Sequence, residues 1–341
     1  MIRVGVLGTA SIAERRMIPA MQKAEPFQYA CVATSTKEEM GTQYSQEEYA
    51  EIYRRKTEKG QSFVEKFGGD FVVGYTKLLE RADIDAVYIP LPPALHAAWA
   101  KRALECGKHV ILEKPFTTKQ EDTAALVALA REKNLAVFEN YGFCCHNQMT
   151  LIKELLEKGA IGELRLIRAS FGFPRRDSGD FRYVKALGGG ALLDCGGYTL
   201  KAATEFLGAG ARVEASVLRE TPEFDVDVYG HAMLCNPEGT CAQISFGMDN
   251  AYKCELELWG STGYLSAPRI FTAPDGFPAP ITVYSAGGKE AFSAADDQFE
   301  KVLLGFYQCL CQEEARKNAY EDILLQSQLV DACKAKSQAG T

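Results

Sequence analysis

The sequence predicts an α/β part built on a doubly wound parallel sheet, followed by an α+β part with a largely antiparallel sheet and covering helices. Three observations predict this architecture. Apolar strands alternate with helical segments through the first 138 residues, whereas the remaining residues contain mostly strands joined by short turns. The length of 341 residues also suits two domains of about 150 residues each. We therefore divide the chain into residues 1–138 and 139–341.

The first part repeats the strand–helix unit along its whole length. Strands are predicted at residues 2–8, 27–35, 71–75, 85–92, 109–115 and 135–140, and helices at 11–24, 76–82, 94–107 and 121–134. Strands separated by helices indicate parallel pairing, because a parallel neighbour needs a crossover connection.

A long polar stretch interrupts this pattern after the second strand. Residues 37–60 are charge-mixed and much longer than the usual connection of two to six residues. We interpret them as a partly helical, exposed insertion near the carboxyl end of that strand. Ligands bind at this edge of open α/β sheets, so the insertion either touches a ligand or a second subunit, or is a solvated elaboration.

The second part changes character after a helix at residues 149–162. Its predicted strands are residues 163–173, 212–220, 226–235, 239–248, 253–261 and 264–267, and its closing helices are 299–318 and 321–336. The NPEG segment at 236–239 is a good hairpin connection. These features predict a largely antiparallel sheet with helices on one face.

Composition limits the partners of the chain. Hydrophobic residues make up 47% and charged residues 24%, as in globular proteins with a sizeable core. The net charge of −7 argues against a nucleic-acid or anionic-membrane partner. Met1 leads directly into an apolar strand, and no apolar run reaches the roughly 20 residues of a membrane span. We therefore expect a cytoplasmic protein with no membrane partner.

The cysteines and histidines predict no metal centre. The eleven cysteines are scattered and form no C-x-x-C pair, so we interpret them as free, buried thiols. The four histidines show no spacing typical of metal ligands.

The turn GTASIA at residues 8–13 is the first candidate binding motif. It follows a strand and opens a helix, and small residues (Gly8, Ala10 and Ala13) stand where a dinucleotide-binding turn needs them. Backbone N–H groups at the helix start can hold a pyrophosphate. The alternative is a tight strand–helix turn without a ligand. The residues predicted to contact the cofactor here are Gly8, Thr9, Ala10, Ser11 and Ile12.

The end of the second strand bears on the choice between NADP and NAD. An acid there would favour NAD by binding the ribose 2′-hydroxyl, but the sequence gives Ser35, Thr36 and Lys37. Hydroxyls and an ammonium suit a 2′-phosphate, so we favour NADP. Glu38 and Glu39 follow immediately and keep NAD open.

The strand VILEKPF at residues 110–116 ends on a charged pair, Glu113 and Lys114. Ends of parallel strands face the ligand, and a lysine beside a nicotinamide can stabilise negative charge on a substrate oxygen. The alternative is a lysine that only pairs with Glu113 or with a helix end.

The segment GGGALLDCGGY at residues 188–198 is a second candidate site. Its three leading glycines allow the backbone to approach a ligand closely. Asp194 and Tyr198 are four residues apart and share a face if the segment is helical. Together with a lysine they would form a proton-transfer set; the alternative is a helix packed with satisfied polar groups.

Taken together, GTASIA, residues 85–116, GGGALLDCGGY and the closing YEDILLQSQLVDA resemble the glucose–fructose oxidoreductase/inositol dehydrogenase (Gfo/Idh/MocA) family over nearly the whole chain. The resemblance implies a Rossmann domain, an open-faced β-sheet domain, and an active site between them. It also implies a homodimer or homotetramer formed through the open sheet face.

Residue by residue, the resemblance makes Lys114 the lysine that contacts the substrate oxygen and the nicotinamide ribose. It makes Tyr198 the proton-transfer residue and Asp194 the acidic partner that orients the pair. Pro115 would turn the strand end through a cis bond. The remaining cofactor contacts that it implies are Pro90, Leu91, Pro92, His96, Glu113 and Arg182.

The segment FENYGFCCHNQ at residues 138–148 supplies further candidates. Cys144 stands where family members often carry arginine, so that contact is missing or replaced. His146 is either a hydrogen-bond donor to substrate or a core histidine. The pattern resembles a branch that acts on nucleotide-linked keto-sugars. The predicted substrate-binding residues are Tyr141, His146, Phe173, Asp194 and Tyr198.

We therefore expect an NAD(P)-dependent oxidoreductase that moves a hydride between nicotinamide and a carbonyl or hydroxyl carbon. The expected substrate is a sugar, a nucleotide-linked keto-sugar, a cyclitol or a similar polyol. Two alternatives are a glycoside-cleaving relative that retains its NAD and a non-catalytic dinucleotide sensor.

Overall fold

The computed structural model describes residues 1–40, 45–177 and 179–339, and it divides into two compact units. The first unit comprises Met1–Phe116, Glu121–Asn140 and Val302–Glu321. The second comprises Thr117–Gln120, Tyr141–Lys301 and the residues from Asp322 onward. A single division at residue 138 leaves out residues 302–321, which come late in the sequence but belong to the first unit.

The first unit is built on a six-stranded sheet in which every pairing is parallel. Its strand order is β3-β2-β1-β4-β5-β6, a doubly wound arrangement in which the order reverses beside β1. This confirms the predicted parallel sheet. The strands are β1 (Ile2–Leu7), β2 (Phe27–Thr34), β3 (Asp70–Val73), β4 (Ala86–Ile89), β5 (His109–Glu113) and β6 (Val137–Asn140).

Helices connect these strands. A π-helical turn, Ala13–Met17, runs into α1. The helices of this part of the chain are α1 (Ile18–Lys23), α2 (Lys37–Met40), α3 (Gln46–Phe67), α4 (Tyr75–Leu79), α5 (His96–Glu105) and α6 (Gln120–Lys133).

The predicted insertion at 37–60 is partly helical, as expected, and residues 41–44 lie outside the described residues. Helix α3 starts at a capping box, in which Ser45 accepts a hydrogen bond from Glu48 N–H and the Glu48 carboxylate accepts one from Ser45 N–H. The helix continues past residue 60 because Phe63 is fully buried, and it ends at Gly68, whose φ is 76°.

The second unit contains an eight-stranded sheet in the order β14-β13-β12-β11-β7-β10-β9-β8. Only the pairing of β7 with β10 is parallel, so the predicted, mostly antiparallel sheet is confirmed. The strands are β7 (Leu164–Gly172), β8 (Arg212–Thr221), β9 (Phe224–Cys235), β10 (Cys241–Gly247), β11 (Lys253–Gly260), β12 (Gly263–Pro268), β13 (Ala279–Ser285) and β14 (Gly288–Ala294).

The sequence interpretation missed β13 and β14. Ile281 and Val283 are buried at alternate positions of β13, and the pair Gly287 and Gly288 lies at the turn into β14. Alternation followed by Gly-Gly is a hairpin signal. Four prolines between residues 268 and 280 hide it by giving the region a loop-like composition.

Helices cover one face of this sheet, where its apolar side chains form the core of the unit. A π-helical turn, Leu192–Gly196, runs directly into α8. The opposite face exposes alternate residues of β9, including Tyr229, His231 and Met233. The remaining helices of the chain are α7 (Asn147–Glu157), α8 (Gly197–Leu207), α9 (Gln298–Cys311) and α10 (Glu313–Ala339), and the core under this sheet includes residues of α7, α8 and α10.

Residues 302–321 pack on the first unit through aromatic and polar contacts. The ring of Phe306 stacks on that of Phe27 with centroids 6.2 Å apart. The hydroxyl of Tyr320 donates a hydrogen bond of 2.6 Å to the carbonyl of Leu135. These contacts bind the end of α9 and the start of α10 to the parallel-sheet unit.

Two further properties follow from the described residues. None of the helices in this part of the chain combines the length and the apolar character that a membrane span requires. The same residues bring no three histidine, cysteine or acidic side chains together in a metal-binding arrangement.

Candidate functional site

The turn after β1 has the geometry that a dinucleotide requires. Gly8 adopts a φ of +102° and donates its N–H to the carbonyl of Ala33 at 2.8 Å. A Cβ at Gly8 would lie 2.9 Å from Cδ2 of Leu91, so only glycine fits. Ala13 is fully buried at the start of the helix. The turn therefore fits a bound pyrophosphate at a helix start beside the sheet edge.

Backbone groups occupy Glu39, the second of the two acids that follow β2. The Glu39 carboxylate accepts hydrogen bonds of 2.9 Å from the backbone N–H groups of Thr36, Tyr75 and Thr76. Burial raises the pKa of Glu39, but these three bonds outweigh it and leave the pKa below its usual value. The carboxylate is thus occupied at the start of α4 and is not available to a ribose hydroxyl.

A pocket of about 540 Å³ opens beside this strand end. Two basic side chains, Lys77 and Arg102, and the ring of Trp99 face it. The sequence interpretation missed all three because they follow β3 and β4 rather than β2. The other lining residues are Thr36, Glu38, Glu39, Gly74 and Thr76. Of the predicted contacts, Thr36 lines the pocket, whereas the Lys37 ammonium lies 5.3 Å from the ring centroid of Tyr49.

His96 joins two turns at the same sheet edge. Its Nε2 lies 2.8 Å from the carbonyl of Leu91, and its Nδ1 lies 2.8 Å from the carbonyl of Pro115. Burial lowers the pKa of His96, so the ring is neutral near pH 7 and donates to one of the two carbonyls. The side chain is 0% exposed. His96 thus holds the Pro90–Pro92 segment against the turn after β5 and presents no surface to a ligand.

Lys114 follows β5 directly, and its bond to Pro115 is cis, as the resemblance implied. The preceding Glu113 accepts hydrogen bonds of 2.6 Å from the Tyr88 hydroxyl and from Asn140 Nδ2. Burial raises the pKa of the Glu113 carboxyl above its usual value. Glu113 therefore has two protein partners besides its neighbour Lys114, and it fixes the end of β5 against β4 and β6.

In the second unit, Asp194 lies in the π-helical turn and accepts a hydrogen bond of 2.8 Å from Arg182 Nε. Arg182 also donates to Asp180 at 3.1 Å. Burial lowers the pKa of Arg182, but the two carboxylates outweigh it and leave the pKa raised. Arg182 therefore holds Asp194 in place, and the cofactor contact that the resemblance implied for Arg182 stays a prediction.

Protein groups account for two of the glycines before Asp194. A Cβ at Gly189 would lie 2.4 Å from the carbonyl oxygen of Arg182, and one at Gly190 would lie 2.5 Å from Oδ1 of Asp227. The Asp227 carboxylate also accepts a hydrogen bond of 2.6 Å from Leu192 N–H. The close backbone approach predicted for a ligand is thus an approach to Arg182 and Asp227.

Tyr198 lies in the first turn of α8, and its side chain is surrounded by aromatic rings. The ring of Tyr198 has its centroid 5.2 Å from those of Tyr141 and Phe171. Phe143 and Phe271 lie at 6.0 and 5.8 Å. Because an aromatic ring has few rotamers, this packing fixes the direction of the phenol.

Of the remaining predicted substrate contacts, two are buried and the third, Phe173, directly follows β7. Tyr141 is 3% exposed, and its hydroxyl accepts a hydrogen bond of 3.3 Å from Gln326 Nε2. His146 is also buried and caps α7 by accepting from Gln148 N–H. Phe173 is half-buried with the Arg176 guanidinium 5.0 Å from its centroid. Tyr141 and His146 are thus buried groups that support the site. The sequence did not indicate Gln326, which donates the hydrogen bond to Tyr141.

The side chain at position 144 is a half-buried thiol that packs against the core. Burial raises the pKa of Cys144 well above its usual value, so the thiol is neutral. The nearby ammonium of Lys201 is paired with the carboxylate of Asp322. Lys201 follows Tyr198 on α8, and it is the cation that the described structure supplies beside position 144.

Comparison with known proteins agrees with this geometry. A family model described as "Oxidoreductase family, NAD-binding Rossmann fold" matches residues 2–141, and one described as "GFO/IDH/MocA C-terminal domain" matches residues 149–266. The dTDP-3,4-didehydro-2,6-dideoxy-alpha-D-glucose 3-reductase of Actinomadura kijaniata is 42% identical over 334 residues, covering 98% of this chain and 95% of the relative. The reductase of the same name from Saccharopolyspora spinosa is 42% identical over 306 residues, covering 89% and 86%.

Solved structures give the same result. The crystal structure of a 3-ketoreductase from Actinomadura kijaniata, in complex with NADP and TDP-benzene, has a TM-score of 0.88 and 40% identity, and the match covers 98% of this chain and 97% of that one. Variants of that enzyme with a tyrosine changed to phenylalanine and a lysine changed to alanine are also solved. The same number of residues separates those two positions as separates Tyr198 from Lys114. The chain therefore belongs to the GFO/IDH/MocA family and is an NAD(P)-dependent oxidoreductase.

Proposed function

We propose that this enzyme uses NADPH to reduce the C3 carbonyl of a dTDP-linked keto-sugar. The observation that carries the proposal is the identity of 36–42% to four reductases of this name, which extends over 89–98% of the chain. The position-for-position spacing of Tyr198 and Lys114 supports the same reaction.

NADPH, when bound, supplies the hydride that the carbonyl carbon receives. We assign to Tyr198 the proton that the carbonyl oxygen receives, so that a C–H and an O–H bond form as the C=O double bond is lost. The Lys114 ammonium donates a hydrogen bond to that oxygen and stabilises its developing negative charge.

Asp194 acts as a positioning residue in this scheme. Its carboxylate is held by Arg182 Nε at 2.8 Å, and it lies in the turn that leads into Tyr198. A π-helical turn is a frequent feature of functional sites, because its extra residue re-aims neighbouring side chains. Asp194 therefore orients the start of α8 rather than transferring the proton itself.

The cofactor-binding set that the structure supports is centred on the turn at Gly8 and on the end of β2. Thr9, Ser11 and Ile12 offer backbone and hydroxyl groups to the pyrophosphate, and Ser35 with Thr36 lies where the adenosine ribose binds. The pocket lined by Lys77, Trp99 and Arg102 suits the adenosine half, with one ring for stacking and two cations. Because Glu39 is occupied, we propose NADP over NAD.

The direct test is a comparison of substrates and cofactors. NADPH oxidation, followed by the loss of its absorbance, should occur with a dTDP-linked 3-keto sugar and should be at least a hundredfold slower with the same sugar lacking the nucleotide. Equal rates with both would contradict recognition of a nucleotide-linked substrate. Product analysis must show the hydroxyl at C3; reduction at another carbon would overturn the assignment.

We also propose that the uncovered sheet face joins two copies of the chain. The register places Trp259 opposite Tyr264, and Tyr264 opposite Tyr284, on that face. Trp259 is 49% exposed and Tyr229 46%, more than is usual for large apolar side chains in a monomer. Light scattering should give the molar mass of a dimer or tetramer for the wild type and a smaller molar mass for Trp259→Lys. A monomeric wild type would contradict the proposal.

The thiols support a reducing compartment such as the cytoplasm. All eleven cysteines are thiols rather than halves of disulfides, and five of them are buried. Free thiols persist where glutathione and thioredoxin keep cysteines reduced. Fractionation of the native host should place the enzyme with cytoplasmic markers; recovery outside that compartment would contradict the proposal.

A further inference from the structure

Lys56 reaches from the insertion to the cofactor side of the parallel sheet. It lies on α3, and its Nζ donates a hydrogen bond of 2.8 Å to the Ser35 hydroxyl. The same Nζ lies 3.2 Å from the sulfur of Met40. A side chain of the polar insertion therefore reaches the end of β2, the strand end near which the insertion was expected.

This ammonium lacks a carboxylate partner within ion-pair distance in the described residues. Glu39 is the acid whose charge acts on it, and the Glu39 carboxylate is already held by three backbone N–H groups. Burial lowers the pKa of Lys56, and the charge of Glu39 raises it only in part. A half-buried ammonium with one hydroxyl and one thioether as partners leaves donor capacity for an anion.

The position of Lys56 follows from a row of contacts along the sheet edge. Ser35, its partner, comes directly after β2 and interacts with the hydroxyl of Tyr75. The Tyr75 hydroxyl oxygen would lie 3.6 Å from a Cβ at Gly8. Lys56, Ser35, Tyr75 and the Gly8 turn thus lie side by side. In doubly wound sheets the adenosine ribose binds at the end of the second strand, next to this turn.

We propose that Lys56 is a specificity-determining residue, which binds the 2′-phosphate of NADP(H) together with Ser35. The proposal rests on the proposed use of NADP and deepens it. The discriminating charge comes from α3, an element inserted after the strand, rather than only from the residues that follow β2. It gives the insertion a function and explains why its helix is anchored at Ser35.

The test separates the 2′-phosphate from the rest of the cofactor. Wild type, Lys56→Gln and Lys59→Gln are titrated with NADPH and NADH by fluorescence, and with 2′,5′-ADP and 5′-AMP by calorimetry. Lys59 is the matched control, because it carries the same charge on the same helix but is exposed. Lys56→Gln should weaken NADPH and 2′,5′-ADP by roughly tenfold to a hundredfold, the usual effect of losing one charged hydrogen bond. The affinities of Lys56→Gln for NADH and 5′-AMP should stay within about twofold of wild type. The affinities of Lys59→Gln for all four ligands should also stay within about twofold.

Three results would overturn the proposal: unchanged NADPH affinity in Lys56→Gln, an equal loss for NADPH and NADH, or a wild type that binds NADH more tightly than NADPH. An equal loss would mean that Lys56 only anchors α3. Lys56→Met keeps the apolar stem and replaces the glutamine variant if that one fails to fold. Failure of the proposed reductase activity would give a different result. The enzyme would then not reduce the keto-sugar, while Lys56→Gln would still weaken binding of NADPH more than binding of NADH.

Discussion

The ring of Tyr198 meets the ring of Tyr141 edge-on, with the centroids 5.2 Å apart and the planes at 85°. Tyr141 is fixed in turn, because its hydroxyl accepts from Gln326 and would lie 2.2 Å from a Cβ at Gly197. A glycine directly before Tyr198 is thus required by the tyrosine that supports it. The proposed proton donor is held by a packed aromatic cluster, which fixes where its hydroxyl points.

Replacing Tyr141 should therefore impair catalysis through position. Tyr141→Leu leaves space beside Tyr198, so kcat for keto-sugar reduction should fall by about 10- to 100-fold while the Kd for NADPH stays constant. The free energy of unfolding should fall by about 1–3 kcal/mol. Tyr141→Phe keeps the ring and removes the hydroxyl that accepts from Gln326, so its kcat should stay within a few fold. An equal loss of kcat in both variants would mean that the hydroxyl, not the ring, matters.

Replacing His96 should weaken both cofactors alike. His96→Phe removes the polar link between the carbonyls of Leu91 and Pro115, which lie at the nicotinamide side of the proposed site. The Kd values for NADPH and NADH should each rise about tenfold, with their ratio unchanged. Fluorescence titration checks this, and it separates His96 from Lys56, whose loss should change the ratio. Unaltered affinities would show that the link does not position the turn.

Glu113 should give the folded state a dependence on pH. Its raised pKa means that the folded chain holds the proton more tightly than the unfolded chain does. This group favours folding at pH values below its unfolded pKa of about 4.3, and that advantage is lost as pH rises through the folded pKa. Glu113→Gln lacks the titration, so its stability relative to wild type should increase as pH rises over this range. Chemical denaturation of both proteins across the range measures the difference; a constant difference would contradict the assignment.

Much of the fold could be predicted because its signals are local. Strands buried on both faces read as apolar runs, and the turn at Gly8 needs small residues that the sequence displays. The cis bond before Pro115 was implied by the family resemblance. The strands β13 and β14 were missed because the prolines around them mask a clear alternation.

The site details that sequence reasoning missed depend on contacts between distant residues. Glu39 suggested NAD, but two of its three N–H partners, Tyr75 and Thr76, lie on α4. Gly189 and Gly190 suggested a ligand, but their neighbours are Arg182 and Asp227. Contact between the insertion and a ligand was left open, but nothing in the sequence distinguished Lys56 from the other charges of residues 37–60. No local pattern reports which group a side chain meets after the chain has folded.

The central claim is that Tyr198 supplies the proton and Lys114 stabilises the oxygen. The measurement that tests it most directly is the single-turnover rate of NADPH oxidation with the dTDP-linked 3-keto sugar, in wild type, Tyr198→Phe and Lys114→Ala. Tyr198→Phe should slow this step by at least about a hundredfold, the usual contribution of a general acid, and Lys114→Ala should slow it strongly. The Kd for NADPH should stay within a few fold in both. Near-normal single-turnover rates in both variants would contradict the account.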